Sequence, residues 1–99
     1  MKISVSDKSV TVFLSGEIDH HNAGILREGA DRCIIKERPR ELILDFSEVT
    51  FMDSSGVGFV MGRYKTASAF GCKTAVTGLK DRDRRILLLS GMQNKIEFR

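Results

Sequence analysis

Alternating apolar and polar residues open the chain and predict a β-hairpin. Residues 3–5 and residues 10–14 each place an apolar side chain at every second position, and the polar stretch 6–9 separates them. A period of two is typical of strands that bury one face, and Ser-Asp-Lys-Ser favours a turn. We therefore expect the first two strands to pair with each other.

A helical pattern follows and ends before Pro39. Apolar side chains recur three or four positions apart between residues 23 and 34, and charged residues lie on the opposite side. This spacing predicts an amphipathic helix that begins at Asn22. Pro39 prevents its continuation because proline lacks an N–H. The continuous apolar run 42–44 then predicts a central strand covered on both faces.

A second helix is predicted to begin at Ser54, after the apolar pair Phe51 and Met52. Gly71 is expected to adopt a left-handed conformation beyond the end of this helix, as glycines often do at that position. The face of the helix that is predicted to be buried contains Val57, Val60, Met61, Tyr64 and Ser68.

The last third of the chain completes the order of elements. Its pattern predicts a strand at 72–76, a third helix at about 80–90 that stops at Gly91, and a final strand containing Ile96 and Phe98. The order β-β-α-β-α-β-α-β implies parallel neighbours joined by right-handed crossovers. We therefore predict an α/β fold with one mixed β-sheet and helices packed mainly on one face, forming a single domain over residues 1–99.

Composition narrows the class of protein. A formal net charge of +3, with one Tyr and no Trp, argues against nucleic acid as a partner. The stretch 80–85 alternates in charge and is interpreted as a solvated helix face. Without a bilayer-length apolar run or a signal peptide, we expect a cytoplasmic protein that does not bind membranes. Cys33 and Cys72 are isolated and are expected to be small buried hydrophobes.

The sequence Asp53-Ser54-Ser55-Gly56 is the main candidate for chemistry. A hydrolase serine needs a neighbouring base and an oxyanion hole. The G-x-S-x-G pattern fails because Met52 stands where a glycine is required. The imidazoles of His20 and His21 are adjacent in sequence, and adjacent side chains rarely bind one metal ion. We therefore expect no catalytic residue and no metal site.

Three glycines leave a nucleotide-binding alternative open. Gly56, Gly58 and Gly62 form a G-x-G-x-x-x-G pattern between a strand and a helix, which is close to the glycine pattern of a dinucleotide-binding site. The spacing differs from G-x-G-x-x-G, and the strand at 72–76 has no carboxylate for a ribose. We therefore expect no cofactor. Close approach of another surface to the helix explains Gly58 and Gly62 better.

Ser54 is predicted to be the N-cap of the second helix and a phosphorylation site. A hydroxyl at this position accepts a hydrogen bond from the N–H two or three residues further on. A phosphate there adds about −1.5 to −2 charges, which the helix dipole tolerates. The fold is kept while the surface changes, and an acidic or apolar partner surface would be repelled.

Two segments resemble a known family. FMDSSGVGFVMGRYK, residues 51–65, is similar to the phosphorylation segment of anti-sigma factor antagonists, the small STAS-domain proteins of bacterial partner switching. SGEIDHH, residues 15–21, is similar to the loop after their second strand, and the match is closest to the sporulation type. The resemblance implies that the unphosphorylated protein binds an anti-sigma factor serine kinase and frees a sporulation sigma factor. Phosphorylation then ends the binding, and a PP2C-type serine phosphatase restores it.

The resemblance maps the phosphoacceptor to Ser54 and implies that the protein is a substrate and a ligand, not an enzyme. Both segments should lie side by side at the carboxyl ends of strands, where α/β sheets bind their ligands. A stress-response antagonist of the same family and a small nucleotide-binding domain are the alternatives. The predicted partner-binding residues are Glu17, Asp19, His20, Asp53, Ser55, Gly56, Gly58, Met61 and Gly62.

Overall fold

The computed structural model describes residues 1–99 and has all of its strands in one sheet. Its elements are β1 (Lys2–Ser6), β2 (Ser9–Ile18), α1 (His20–Glu37), β3 (Glu41–Met52), α2 (Ser54–Ser68), β4 (Lys73–Thr77), α3 (Asp81–Leu89), a 3₁₀ turn (Met92–Asn94) and β5 (Glu97–Phe98). The strands lie in chain order, with β1 antiparallel to β2 and the other neighbours parallel. The predicted order of elements and the mixed sheet are confirmed.

The hydrophobic core lies between one face of the sheet and the helices. α1 and α2 pack against each other, and they contact the sheet through β2, β3 and β4. Full burial of a large apolar side chain stabilises the fold by roughly 1.5–3 kcal/mol. Ile43, predicted to be covered, is only half-buried because the helices pack mainly on the opposite face. The fully buried side chains of β2 and β3 include Val10, Val12, Leu14, Leu42, Leu44 and Phe46.

The first helix begins two residues earlier than predicted. α1 starts at His20, because Asp19 is its N-cap and accepts a hydrogen bond from the Asn22 backbone N–H at 2.9 Å. Asn22 therefore lies inside the first turn. The helix ends before Arg38, which adopts a left-handed conformation with φ of 43°. This end agrees with Pro39, since the residue before a proline avoids the right-handed helical region.

The buried face of α2 is rotated from the predicted one. Of the predicted residues, Val60 is buried, Ser68 is exposed, and Val57, Met61 and Tyr64 are half-buried. The residues that the structure buries are Gly56, Phe59, Val60, Arg63 and Ala67. The prediction is confirmed in part, since Val57, Met61 and Tyr64 pack against the core. It missed Arg63, which is buried in an ion pair with Asp31 of α1, with 2.7 Å between Nε and Oδ1. A hydrophobic pattern counts such an arginine as a surface residue.

The charged stretch 80–85 at the start of α3 is exposed except at one position, so its interpretation as a solvated face is confirmed for five of its six residues. Asp83 is buried. The Lys80 Nζ donates to the Val49 carbonyl at 2.6 Å, and the Arg82 Nη1 donates to the Met52 carbonyl at 3.3 Å. These two hydrogen bonds attach the start of α3 to the end of β3.

Smaller features of the fold follow the predictions closely. Gly71 and Gly91 have φ of 71° and 80°, in the left-handed region where glycine is favoured. Cys72 is buried as predicted, Cys33 is half-buried, and both thiols are free. No helix of the structure combines the length and the apolar character that a membrane span requires.

Candidate functional site

Asp53, not Ser54, is the N-cap of α2. Its Oδ1 accepts a hydrogen bond from the Ser55 backbone N–H at 2.7 Å, and its carbonyl accepts the Gly56 N–H at 2.9 Å. Ser54 is the first helical residue and is exposed. The predicted cap was therefore wrong by one residue, because an aspartate carboxylate fills the same role as a hydroxyl. The cap hydrogen bond leaves the Ser54 hydroxyl free on the surface.

The two segments that define the candidate site lie side by side, as predicted. Ile18 near the end of β2 pairs with Met52 at the end of β3, and the Asp53 N–H donates to the Ile18 carbonyl at 3.3 Å. These parallel strands end at the same edge of the sheet, where α/β proteins bind their ligands. The loop predicted after β2 is reduced to Asp19, because the flanking residues belong to β2 and α1.

The predicted partner-binding residues differ in what they present to solvent. The Asp19 carboxylate caps α1, and Gly56 is buried. The exposed residues are Glu17, His20 and Gly58. The half-buried residues are Asp19, Asp53, Ser55, Met61 and Gly62.

The three glycines of α2 differ in the space available for a side chain. A Cβ added at Gly56 would overlap the Met52 side chain, so this position packs tightly inside the protein. A Cβ added at Gly58 or Gly62 would meet nothing within 4 Å. Glycine inside a helix costs roughly 1 kcal/mol relative to alanine. Internal packing explains Gly56, whereas it gives no reason for glycine at the other two positions.

Sequence reasoning missed Arg82 and Phe51 as neighbours of the α2 N-terminus. The Arg82 guanidinium carbon lies 5.7 Å from the centroid of the Phe51 ring, within the range of a cation–π contact. The ring is 42% exposed. Met52, whose carbonyl accepts the Arg82 hydrogen bond, directly precedes the Asp53 cap. No local pattern signals this contact, because Arg82 lies in a separate helix.

The site presents an exposed serine hydroxyl at the start of a helix. Ser54 stands at the positive end of the α2 dipole, where an added anion is stabilised. No cluster of three or more His, Cys, Asp or Glu side chains is placed to hold a metal ion. Beside the hydroxyl, a groove of about 390 Å³ separates α1 from α2, and His20, Ser55 and Gly58 are among its lining residues.

Comparison with known proteins defines the family. The STAS domain model matches residues 1–99, and the chain belongs to the STAS domain family. An anti-sigma F factor antagonist of Paenibacillus polymyxa is 37% identical over 81 residues, covering 82% of this chain and 69% of that protein. An anti-sigma-B factor antagonist of Listeria monocytogenes is 31% identical over 104 residues, covering 100% of this chain and 90% of that protein.

Solved structures with the same fold include one protein in two states. The anti-sigma factor antagonist SpoIIAA in its unphosphorylated form matches with a TM-score of 0.78 and 27% identity, over 99% of this chain and 86% of that one. The Bacillus cell fate determinant SpoIIAA in the phosphorylated form matches with a TM-score of 0.77 and 28% identity, over 99% and 89%. These matches extend over nearly the whole chain and confirm the predicted STAS fold.

Proposed function

We propose that this protein is an anti-sigma factor antagonist controlled by phosphorylation of Ser54. The unphosphorylated protein binds an anti-sigma factor that is also a serine kinase, and this binding releases a sporulation sigma factor. Phosphorylation of Ser54 ends the binding, and a PP2C-type serine phosphatase restores it. In this cycle the protein acts in the cytoplasm as a ligand and a substrate, and it catalyses no step.

Two observations on related proteins support this proposal: the function named for one relative, and the two phosphorylation states in which another has been solved. The 37% identical protein of Paenibacillus polymyxa is named an anti-sigma F factor antagonist. SpoIIAA, which shares 27–28% identity, has been solved in unphosphorylated and phosphorylated forms. A fold that accommodates both states in a relative is compatible with a phosphate at the start of α2.

The exposure of Ser54 at the start of α2 is the observation that carries the proposal. A kinase can reach this hydroxyl without unfolding the protein. The resulting dianion would stand beside Asp53 and at the positive end of the helix dipole, so the helix start would be kept. Placing that charge against an acidic or apolar partner surface costs several kcal/mol, and about 4 kcal/mol corresponds to a thousandfold loss of affinity.

The surface around Ser54 suits a protein partner. Glu17 and His20 are exposed on the adjacent strand end and helix start, and Glu17 offers a carboxylate to basic groups of the kinase. Gly58 and Gly62 lie one helical turn apart on α2 with open space beside them. Without side chains, these two positions allow the backbone of a partner to approach α2 closely. Met61, half-buried between them, adds apolar contact area.

Mass spectrometry after incubation with the cognate kinase and ATP tests the proposal directly. We expect one added phosphate, located at Ser54, in the unmodified sequence and in the control variant Ser55→Ala. We expect none in Ser54→Ala, because the modification needs that hydroxyl. A Ser54→Ala protein that is still labelled at Ser55 would show that the acceptor has been assigned to the wrong serine.

A stress-response antagonist is the second candidate function. The Listeria monocytogenes anti-sigma-B factor antagonist aligns with 100% of this chain, although its identity is lower, at 31%. The two functions share the fold and the switch and differ in the partner. Binding measurements with an anti-sigma F factor and an anti-sigma-B factor separate the two functions, and we expect the anti-sigma F factor to bind more tightly.

A further inference from the structure

The groove between α1 and α2 is lined by two arginines and a histidine. Arg27 and Arg63 line it together with His20, and no acidic side chain is among its lining residues. His20 and Arg27 form the α1 wall, and Ser55 and Gly58 lie with Arg63 on the α2 wall, so the groove opens beside the Ser54 surface. Gly58 has no side chain to narrow the entrance. Arg63 is paired with Asp31, so the exposed Arg27 supplies the positive charge that attracts a negatively charged group to the groove.

Arg63 is the unusual residue of this groove because its charge is buried and incompletely paired. The residue is 3% exposed. Its Nε forms an ion pair with Asp31 at 2.7 Å, and its Nη1 is buried without any hydrogen-bond partner. A buried donor without an acceptor is costly, and a charged one more so.

The electrostatic surroundings of Arg63 favour an additional anion. Burial lowers the pKa of Arg63, Asp31 opposes that change, and the nearby positive charge of Arg27 lowers the pKa further. A second carboxylate would counter both effects. Arginine is well suited to this contact, since its planar guanidinium donates two parallel hydrogen bonds to one carboxylate.

We propose that the groove between α1 and α2 binds an aspartate or glutamate side chain of the anti-sigma factor, with the exposed guanidinium of Arg27 as its donor and the buried charge of Arg63 in the groove wall. This inference rests on the proposed function and specifies the partner chemistry. The groove continues from the Ser54 surface through Ser55, so a partner that contacts Ser54 also reaches the groove. Glu17 presents a negative charge and the groove a positive charge to the anti-sigma factor. These opposite charges fix the orientation in which the anti-sigma factor binds.

Two substitutions in α1, each of which removes one positive charge, test the inference. Arg27→Gln removes a positive charge from the groove, and Arg32→Gln removes the same charge from an exposed position of α1 that does not line it. Isothermal titration with the cognate anti-sigma factor should give about a tenfold weaker Kd for Arg27→Gln. For Arg32→Gln, we expect a change below about twofold. Both residues are exposed, so both variants should fold.

The salt dependence of binding separates a charge contact from a structural effect. If Arg27 pairs with a carboxylate, the Kd of Arg27→Gln should rise less steeply with ionic strength than the Kd of the unmodified protein or of Arg32→Gln. Equal Kd values for both variants, or equal salt slopes, would overturn the groove proposal while leaving the proposed function intact. Absence of binding by the unmodified protein would overturn both proposals.

Discussion

The first turns of α1 and α2 are built alike but leave different groups on the surface. Each follows an aspartate N-cap, Asp19 or Asp53, whose carboxylate accepts a backbone N–H. α1 continues with two histidines, and α2 continues with two serines. Only the start of α2 therefore presents hydroxyls at the positive end of a helix. The comparison separates the cap, which both helices need for stability, from the residue after the cap, which we propose to be the switch.

The two helix starts also differ in how tightly they pack on the rest of the protein. Gly56, near the start of α2, lies against the Met52 side chain at the end of β3. Gly24, near the start of α1, has open space where a side chain would be. The start of α2 is thus held against the sheet, which keeps Ser54 in one position relative to the end of β2. A fixed position suits the role that we propose for Ser54, in which a kinase and a partner recognise the same surface.

A negative charge at Ser54 is expected to have the largest effect on binding. Ser54→Asp should weaken the complex with the anti-sigma factor by about 100- to 1,000-fold, because an unfavourable charge in an interface costs several kcal/mol. The thermal stability should be unchanged or slightly higher, since a carboxylate suits a helix N-terminus. Isothermal titration measures the first quantity, and thermal unfolding measures the second.

His21→Asp is the matched control in the other helix start. It adds a negative charge to the first turn of α1, at an exposed residue outside the predicted partner-binding set. We expect a change in Kd below about threefold, as is usual for charges at the rim of an interface. Similar losses of affinity in Ser54→Asp and His21→Asp would indicate that the net charge of the protein, and not a charge at Ser54 in particular, controls the complex.

The same glycine substitution in the two helices should change stability in opposite directions. Gly56→Ala should lower the free energy of unfolding by about 1–3 kcal/mol, because its Cβ would overlap Met52 and force a shift. Gly24→Ala should raise it by roughly 0.5–1 kcal/mol, since alanine favours the helix and meets no neighbour. Urea unfolding of both variants measures the two effects, and a loss of stability in both would contradict the packing difference.

The fold was predictable because periodicity identifies elements independently of their exact contacts. Alternation identified β1 and β2, and the change to helical spacing at Ser54 identified α2. The orientation of α2 was not predictable, since the buried Arg63 depends on Asp31, thirty-two positions earlier in the chain and in another helix. Local patterns carry no information on such a distant pair.

The candidate site was partly predictable for a similar reason. The exposed start of α2 and its neighbour, the end of β2, follow from the order of elements, because parallel strands end at one edge. The identity of the cap did not follow, since Asp53 and Ser54 are both good N-cap residues and only the backbone geometry selects one. The contact of Arg82 with the end of β3 spans 30 positions and had no local signal.

Substitution of the cap residue is expected to have a modest effect on stability, and two variants separate its hydrogen bond from its charge. Asp53→Ala removes the acceptor of the Ser55 N–H and should cost about 1 kcal/mol, or roughly 4–8 °C in Tm for a domain of this size. Asp53→Asn keeps an acceptor oxygen, so its Tm should fall much less. Asp19→Ala should resemble Asp53→Ala, because the Asp19 carboxylate accepts the equivalent bond from Asn22.

Binding measurements on the same variants complete the comparison of the two helix starts. If Asp53 acts only as a cap, Asp53→Asn should bind the anti-sigma factor and accept phosphate as the unmodified protein does. If its charge also contacts the partner, Asp53→Asn should lose affinity while keeping its Tm. Equal Tm losses for Asp53→Ala and Asp53→Asn would show that the side-chain hydrogen bond at 2.7 Å does not stabilise α2.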